Sequence, residues 1–427
     1  MEQVKKITGE VEITQLKIEG VPDFKKKIED FLKKSTSELL EIILAGSINL
    51  DASDIHIEPE EEKAKLRIRI DGLLQDVLFF DLKIHQSLVS RIKLLSELKL
   101  NIRDRPQDGR FSILLEKTPI EIRASSLPAE YGESIVLRIL NPKSLIDVEA
   151  LGLRKDLVKI FDKEITKPNG MIIVTGPTGS GKTTTLYAVL KKINQPEVKI
   201  ITIEDPIEYH LEGISQTQVD PKKGYDFAHG LRSLMRQDPD VILVGEIRDL
   251  ETAKIALQAA LTGHLVLSTL HTNDAAGTIA RFQALGEKPV NIAPAINMVI
   301  AQRLVRKVCQ KCLKLERISP ENYEKIKKAL KGLPKEIQTV PLNAATTIPL
   351  AKGCKQCNFT GYKGRLGVFE FFLVDNEMER FILTSPSIGD LRDKAIKKGM
   401  VPMRQDGFIK VLEGITTIEE IERVTAE

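Results

Sequence analysis

The stretch Gly176-Pro177-Thr178-Gly179-Ser180-Gly181-Lys182-Thr183 limits what this chain can fold into more than any other. It satisfies G-x-x-x-x-G-K-[ST] in full, with the apolar run MIIVT before it and the helix-forming TTTLYAVLKKIN after it. A glycine-rich turn between strand and helix lets consecutive backbone N–H groups face a polyphosphate, and the helix N-terminus adds partial positive charge. The spacing predicts Lys182 at the β- and γ-phosphates of ATP, Thr183 as a ligand of Mg2+, and Thr184 at the edge of the cradle.

Around this loop the chain alternates between short Val/Ile-rich runs (VKIITIED, VILVGEI, HLVLSTLH) and helical stretches such as LETAKIALQAAL. That alternation predicts an α/β domain with a mostly parallel sheet covered by helices on both faces. The preceding region reads differently. Ser37 through Leu50 has apolar residues at helical spacing and a serine to cap it. LRIRIDGLLQDVLFF alternates and turns at Asp71-Gly72, and RFSILLE, IEIRASSLP and ESIVLRIL are further strands of one α+β domain. The expected division is a short, loosely packed segment 1–36, this domain at 37–140, a linker 141–152, the motor 153–305, a cysteine-bearing region 306–372 and a helical region 373–427.

The 427 residues suffice for several cores. With 63 basic and 60 acidic side chains, a net charge of +3 and no Trp, the chain lacks the basic footprint and the stacking groups of a nucleic-acid binder. A ring-shaped, helicase-like motor is therefore the weaker reading of the loop. No apolar run reaches the roughly 20 residues that span a bilayer, and MEQVKKITGE lacks the apolar segment of a signal peptide. A cytoplasmic protein follows.

Phosphoryl chemistry needs acids and cations. Glu204, in IEDPIE, and Glu246, just past VILVG, end two strands, and Glu246 resembles the metal-holding acid usually found as Asp. Either acid could be the general base; Glu246 is favoured for that role, with Glu204 positioning metal or water. His264 and His271 flank the strand LVLSTL, where Ser268, Thr269 and a histidine would suit a γ-phosphate sensor. Arg232 and Arg236 lie four apart in LRSLMRQ and so share a helix face, while Arg123 and Arg138 end strands of the earlier domain.

All four cysteines fall in two C-x2-C pairs, Cys309/Cys312 and Cys354/Cys357. Such pairs form the two halves of a tetrahedral four-cysteine zinc site, with a redox dithiol or an iron–sulfur site as rivals. Lys311, Lys352 and Lys355 would moderate the charge of four thiolates.

Together, GPTGSGKTTT, TIEDPIEY, LRSLMRQDPDVILVGEIRD and LTGHLVLSTLHTNDA resemble the secretion ATPase superfamily, in its type II secretion and type IV pilus assembly branch. ASDIHIEP, PQDGRFSI, SLPAEYGESIVLRIL and the C-terminal GMVPMRQDGFIKVLEGITTIEEIERV extend the likeness. The resemblance implies a RecA-like motor joined to a PAS-like domain, a homohexameric ring, and catalytic roles for Glu204, Glu246, His264, His271, Arg123, Arg138, Arg232 and Arg236. It implies a tetracysteine zinc subdomain, absent from pilus-retraction relatives. It also implies peripheral attachment at the inner membrane through a platform protein and a cytoplasmic recruiting protein. Many relatives carry a further N-terminal docking domain, for which segment 1–36 leaves little room. Recruitment then uses that segment or another surface, or the docking domain is missing.

Overall fold

The computed structural model describes residues 11–13, 16–116 and 118–425, in two units. One comprises the chain through Ser144 with Cys309–Cys312 and Ala351–Lys363; the other comprises Leu145–Val308, Leu313–Leu350 and Gly364–Glu427. The stretch 306–372 is thus shared between them.

Period-two burial builds the first unit. In β3 (Lys63–Ile70) the sequence KAKLRIRI buries Ala64, Leu66, Ile68 and Ile70 and leaves the cations outside. The unit runs β1 (Val11–Ile13), α1 (Val21–Phe31), α2 (Thr36–Asn49), β2 (Ala52–Pro59), β3, β4 (Leu73–Asp81), α3 (Leu82–Leu95), β5 (Gln107–Leu115), β6 (Thr118–Ala129) and β7 (Gly132–Leu140). Its sheet has the order β1-β5-β6-β7-β2-β3-β4, antiparallel except for β1 on β5. Asp71 and Gly72 both take positive φ, as the expected two-residue hairpin turn requires.

Three expectations change here. The cap of α2 is Ser35 rather than a later serine, and it closes a capping box with Glu38. The described part of segment 1–36 is packed, since Phe24 and Ile28 of α1 are fully buried; residues 1–10 and 14–15 lie outside the described residues. The linker 141–152 is ordered in its second half, where Val148 and Leu151 enter the core of the second unit.

The second unit begins α4 (Lys155–Ile165), β8 (Gly170–Thr175), α5 (Lys182–Ile193), β9 (Ile200–Glu204), β10 (Ser215–Gln218), α6 (Phe227–Leu234), β11 (Val241–Val244), α7 (Leu250–Leu261) and β12 (Leu265–Leu270). It continues α8 (Gly277–Leu285), α9 (Pro289–Ile292), β13 (Ile296–Val308), β14 (Leu313–Arg317), α10 (Pro320–Ala329), β15 (Thr347–Ala351) and β16 (Tyr362–Leu373). Helices α11 (Asn376–Leu383), α12 (Ile388–Lys397), α13 (Met403–Leu412) and α14 (Ile418–Thr425) close it. The seven-stranded sheet has the order β10-β9-β11-β12-β8-β13-β16, and the pairs from β10 to β13 are parallel. Strands β8, β9, β11 and β12 are buried throughout, because α4 and α5 pack on one face and α6, α7 and α8 on the other.

Candidate functional site: a phosphate loop facing two strand-end acids

Parallel strands bring their C-terminal ends to one edge, where ligands of open α/β sheets bind. Thr175 of β8 pairs with Leu270 of β12, and Val244 of β11 with both Ser268 and Ile203. This register places Gly176, Glu204, Glu246 and His271 at the same edge.

The loop itself fits a polyphosphate. Gly176 has φ 145°, and a Cβ there would meet Gln302 O at 2.6 Å, so only glycine fits. Gly181, at φ 89°, starts α5 with no side-chain cap, which leaves the first N–H groups of the helix for a ligand. Ser180 Oγ is buried without a hydrogen-bond partner among the described residues. Lys182 Nζ donates to Gly176 O at 2.8 Å and Pro177 O at 3.2 Å. Burial lowers its pKa, opposed by the charge of Glu246.

Beside the loop lies a cavity of about 80 Å³ lined by Thr183, Tyr187, Glu204, Asp205, Glu208 and Glu246, among others. A hydroxyl on α5 surrounded by carboxylates is a donor set suited to a hard divalent cation. Glu204 is only 4% exposed, and donors occupy both of its oxygens. Thr202 Oγ1 donates to Oε1 at 2.6 Å, Gln216 Nε2 to Oε1 at 3.2 Å, and Tyr187 OH to Oε2. Burial nevertheless pushes its pKa up. Glu246 pairs with Arg248, and its Oε2 lies 3.8 Å from His271 Nε2. Burial, then the charge of Lys182, lowers the pKa of His271, favouring a neutral ring.

The structure does not bring every expected residue to this edge. His264 precedes β12, and its carbonyl accepts from Gly170 N at the start of β8, so within this chain it sits at the opposite end of the sheet from the loop. Ser268 and Thr269 do not face a ligand either. Their hydroxyls donate to Val244 O and Gly245 O, each at 2.8 Å, which ties β12 to the end of β11. Helix α6 ends at Leu234, so Arg236 lies beyond it and folds back to donate to Arg232 O at 3.0 Å, while Arg232 pairs with Glu251. Arg123 and Arg138 face each other across β6 and β7; Arg123 pairs with Glu121 at 3.2 Å and Arg138 with Asp54 at 3.2 Å.

Two supporting residues escape sequence reading. Gln302 donates to Ser180 O at 2.7 Å and accepts from Thr185 Oγ1 at 2.8 Å, which braces the loop against α5. The neighbouring Arg303 donates to Asn273 O at 2.9 Å beside Gly176. The available signal was a polar Gln-Arg pair interrupting the apolar strand VIAQRLV.

The cysteines form a second centre. Sγ atoms of Cys309 and Cys354 lie 3.9 Å apart, those of Cys312 and Cys357 3.8 Å, and all four fall within 4.8 Å of one another. A tetrahedral zinc thiolate with Zn–S of about 2.3 Å has edges of about 3.8 Å, so the donors fit such an ion. Backbone N–H groups of Cys354 and Gly361 donate to Cys357 Sγ at 3.1 and 3.3 Å, as a thiolate invites.

Comparison with known proteins agrees with this geometry. The family profile described as "Type II/IV secretion system protein" matches residues 30–423. The chain belongs to that family. "Type II secretion system protein E" of Dickeya dadantii is 46% identical over 391 residues, covering 91% of this chain and 75% of the relative. "Type IV pilus assembly ATPase PilB" of Thermus thermophilus is 44% identical, covering 88% and 41% respectively. A crystal structure of the pilus retraction motor PilT with bound ADP superposes with a TM-score of 0.60 at 27% identity, over 90% of this chain and 96% of that one. The chain is an ATP-hydrolysing enzyme of the secretion and pilus-assembly kind, not a nucleic-acid motor. Among the described residues no helix is long and apolar enough to cross a membrane.

Proposed function

We propose that the chain works in the cytoplasm as a homohexamer, turning ATP hydrolysis into mechanical work at the inner membrane. That work drives the assembly of pilus or pseudopilus subunits in type II secretion or type IV pilus formation. The observation that carries this reading is the cavity where Thr183 of the phosphate loop meets Glu204 and Glu246. Lys182 and the uncapped α5 N-terminus bind the phosphates. Glu246, with free oxygen valence and His271 beside it, orients and deprotonates the attacking water. Glu204, held by Tyr187, Thr202 and Gln216, positions metal or water at the cavity wall. Thr183 and the cavity's carboxylates would hold Mg2+, which neutralises charge on the β- and γ-phosphates when bound. Cys309, Cys312, Cys354 and Cys357 would hold Zn2+ as a closed structural centre. Arg123, Arg138, Arg232 and Arg236 are the proposed phosphate-facing cations of the assembled, working ring. The partners are an inner-membrane platform protein and a cytoplasmic recruiting protein, and the family resemblance supports both.

Lys182→Ala should abolish ATP turnover by the purified full chain, measured as released phosphate; wild-type-like turnover would defeat the reading. Metal analysis should find about one zinc per chain, the stoichiometry of a four-cysteine centre. A content far below that removes zinc without touching the ATPase assignment.

A further inference from the structure

A cleft of about 820 Å³ opens in the second unit beside the phosphate loop, and the chemistry described so far does not use it. Its walls come from the turn after β12, from α8, β13, β16 and α12, from the start of α13 and from the end of α14. Two contacts join it to the loop. Arg303 Nη1 lies 3.2 Å from the point where a Cβ would project at Gly176. Thr272 Oγ1, also in the lining, is 2.7 Å from Thr175 Oγ1, in the residue before the loop.

The charges of the cleft are uneven. Arg392 is matched by an ion pair with Asp274. The oxygens of the buried Glu370 accept from Ala275 N at 3.0 Å and Met403 N at 3.2 Å, so this acid serves the backbone. Arg303 is half-buried, and among the described residues its hydrogen bonds go to carbonyls, those of Gln302 and Asn273; Glu370 and Asp274 act on it through their charge. Arg281 and Arg404 are exposed and have no acidic partner among the described residues. Arg404 rests its guanidinium 5.7 Å from the Phe408 ring, and Arg281 lies close enough to His271 to affect its protonation. Three guanidinium forks without direct counter-ions among the described residues therefore line a path that starts at the phosphate loop. Such forks match the oxygens of a phosphate better than any other common anion receptor.

Hydrolysis releases a phosphate anion at the γ position, beside Lys182 and His271. We infer that the cleft is the departure site for inorganic phosphate, which rests on the reading of the loop as an ATP-hydrolysing site. Arg303 takes the anion as it leaves the loop, and Arg281 and Arg404 hold it before it reaches solvent. The cleft is far larger than one phosphate, which suits a hydrated vestibule rather than a closed pocket. Separating this route from the nucleotide lets phosphate leave while ADP still fills the loop.

The test is product inhibition of steady-state ATP hydrolysis by added inorganic phosphate, using the full chain. Wild type should be inhibited non-competitively with respect to ATP. In the double variant Arg281→Ala/Arg404→Ala the inhibition constant should rise about tenfold or more, the loss expected on removing charge-assisted hydrogen bonds. Its KM for ATP should stay unchanged, because neither side chain touches the loop. Arg281→Lys/Arg404→Lys, which keeps the charge, should retain most of the inhibition and so exclude misfolding as the cause. Phosphate that competes with ATP, that does not inhibit, or that inhibits the alanine variant as strongly as wild type overturns the inference. A wild-type chain that does not hydrolyse ATP defeats the underlying reading instead.

Discussion

The ends of β9 and β11 lie side by side, and each delivers a glutamate to the same small cavity, yet the two acids live in different surroundings. Glu204 is almost sealed, with Tyr187, Thr202 and Gln216 donating to its two oxygens. Glu246 follows Gly245, pairs with a mostly exposed Arg248 and keeps His271 at 3.8 Å. A carboxylate held by three protein donors on its two oxygens is fixed in place and has little freedom to turn toward a substrate water. One that faces a cation and a neutral imidazole at a cavity wall can still reorient toward one. Proximity to the phosphate loop therefore does not separate the roles of the two acids; their hydrogen-bond valence does.

The sharpest way to break this contrast is to neutralise each acid in turn. Glu246→Gln should lower the single-turnover rate of ATP hydrolysis by about a thousandfold or more, as loss of a general base typically does. Glu204→Gln keeps the shape and most of the hydrogen bonds, and should cost only about tenfold. Equal losses would show that Glu204 also handles the proton.

A smaller, pH-dependent effect sharpens the same contrast through stability. Burial raises the pKa of Glu204 in the folded protein, so the folded chain holds this proton more tightly than the unfolded one. The stability this confers is complete below the unfolded pKa of about 4.3 and is lost as pH climbs through the raised folded value. Glu204→Gln has no proton to lose. Its melting temperature should therefore gain steadily on wild type as pH is raised above about 4.3, the unfolded value. A difference that stays constant across the range means the folded carboxyl titrates like an unfolded one.

How much of this was readable beforehand depends on how local each signal is. The phosphate loop was legible because its motif, its strand and its helix occupy one contiguous stretch. The hairpin at Asp71-Gly72 was legible for the same reason. Gln302 and Arg303 were not, since only the pairing of β13 with β8 brings them to the loop from more than a hundred residues downstream. Tyr187 looks like one more apolar residue of α5; its hydroxyl acquires meaning only when β9 places Glu204 opposite it. Ser268 and Thr269 misled in the other direction. A polar pair near a strand end resembles a sensor, but both hydroxyls are consumed by carbonyls of the neighbouring strand end.

His264 offers the smallest expected effect and a test of what strand polarity implies. Residues at the two ends of a strand look equivalent in sequence, yet only the C-terminal end of a parallel strand faces the ligand edge. Six residues of β12 separate His264 from His271, about 20 Å at the usual rise per residue. The ring Nδ1 of His264 is shared with Ala259 O at 3.1 Å, which places it at the end of α7 rather than near a phosphate. His264→Ala should leave ATP turnover per chain within about twofold of wild type, while His271→Ala should lower it by about tenfold or more, a typical cost for a group acting beside the reacting centre. If the two histidine variants lose activity alike, His264 acts on a nucleotide held by another copy of the chain. The contrast between the two ends of β12 would then hold within one chain but fail in the assembly.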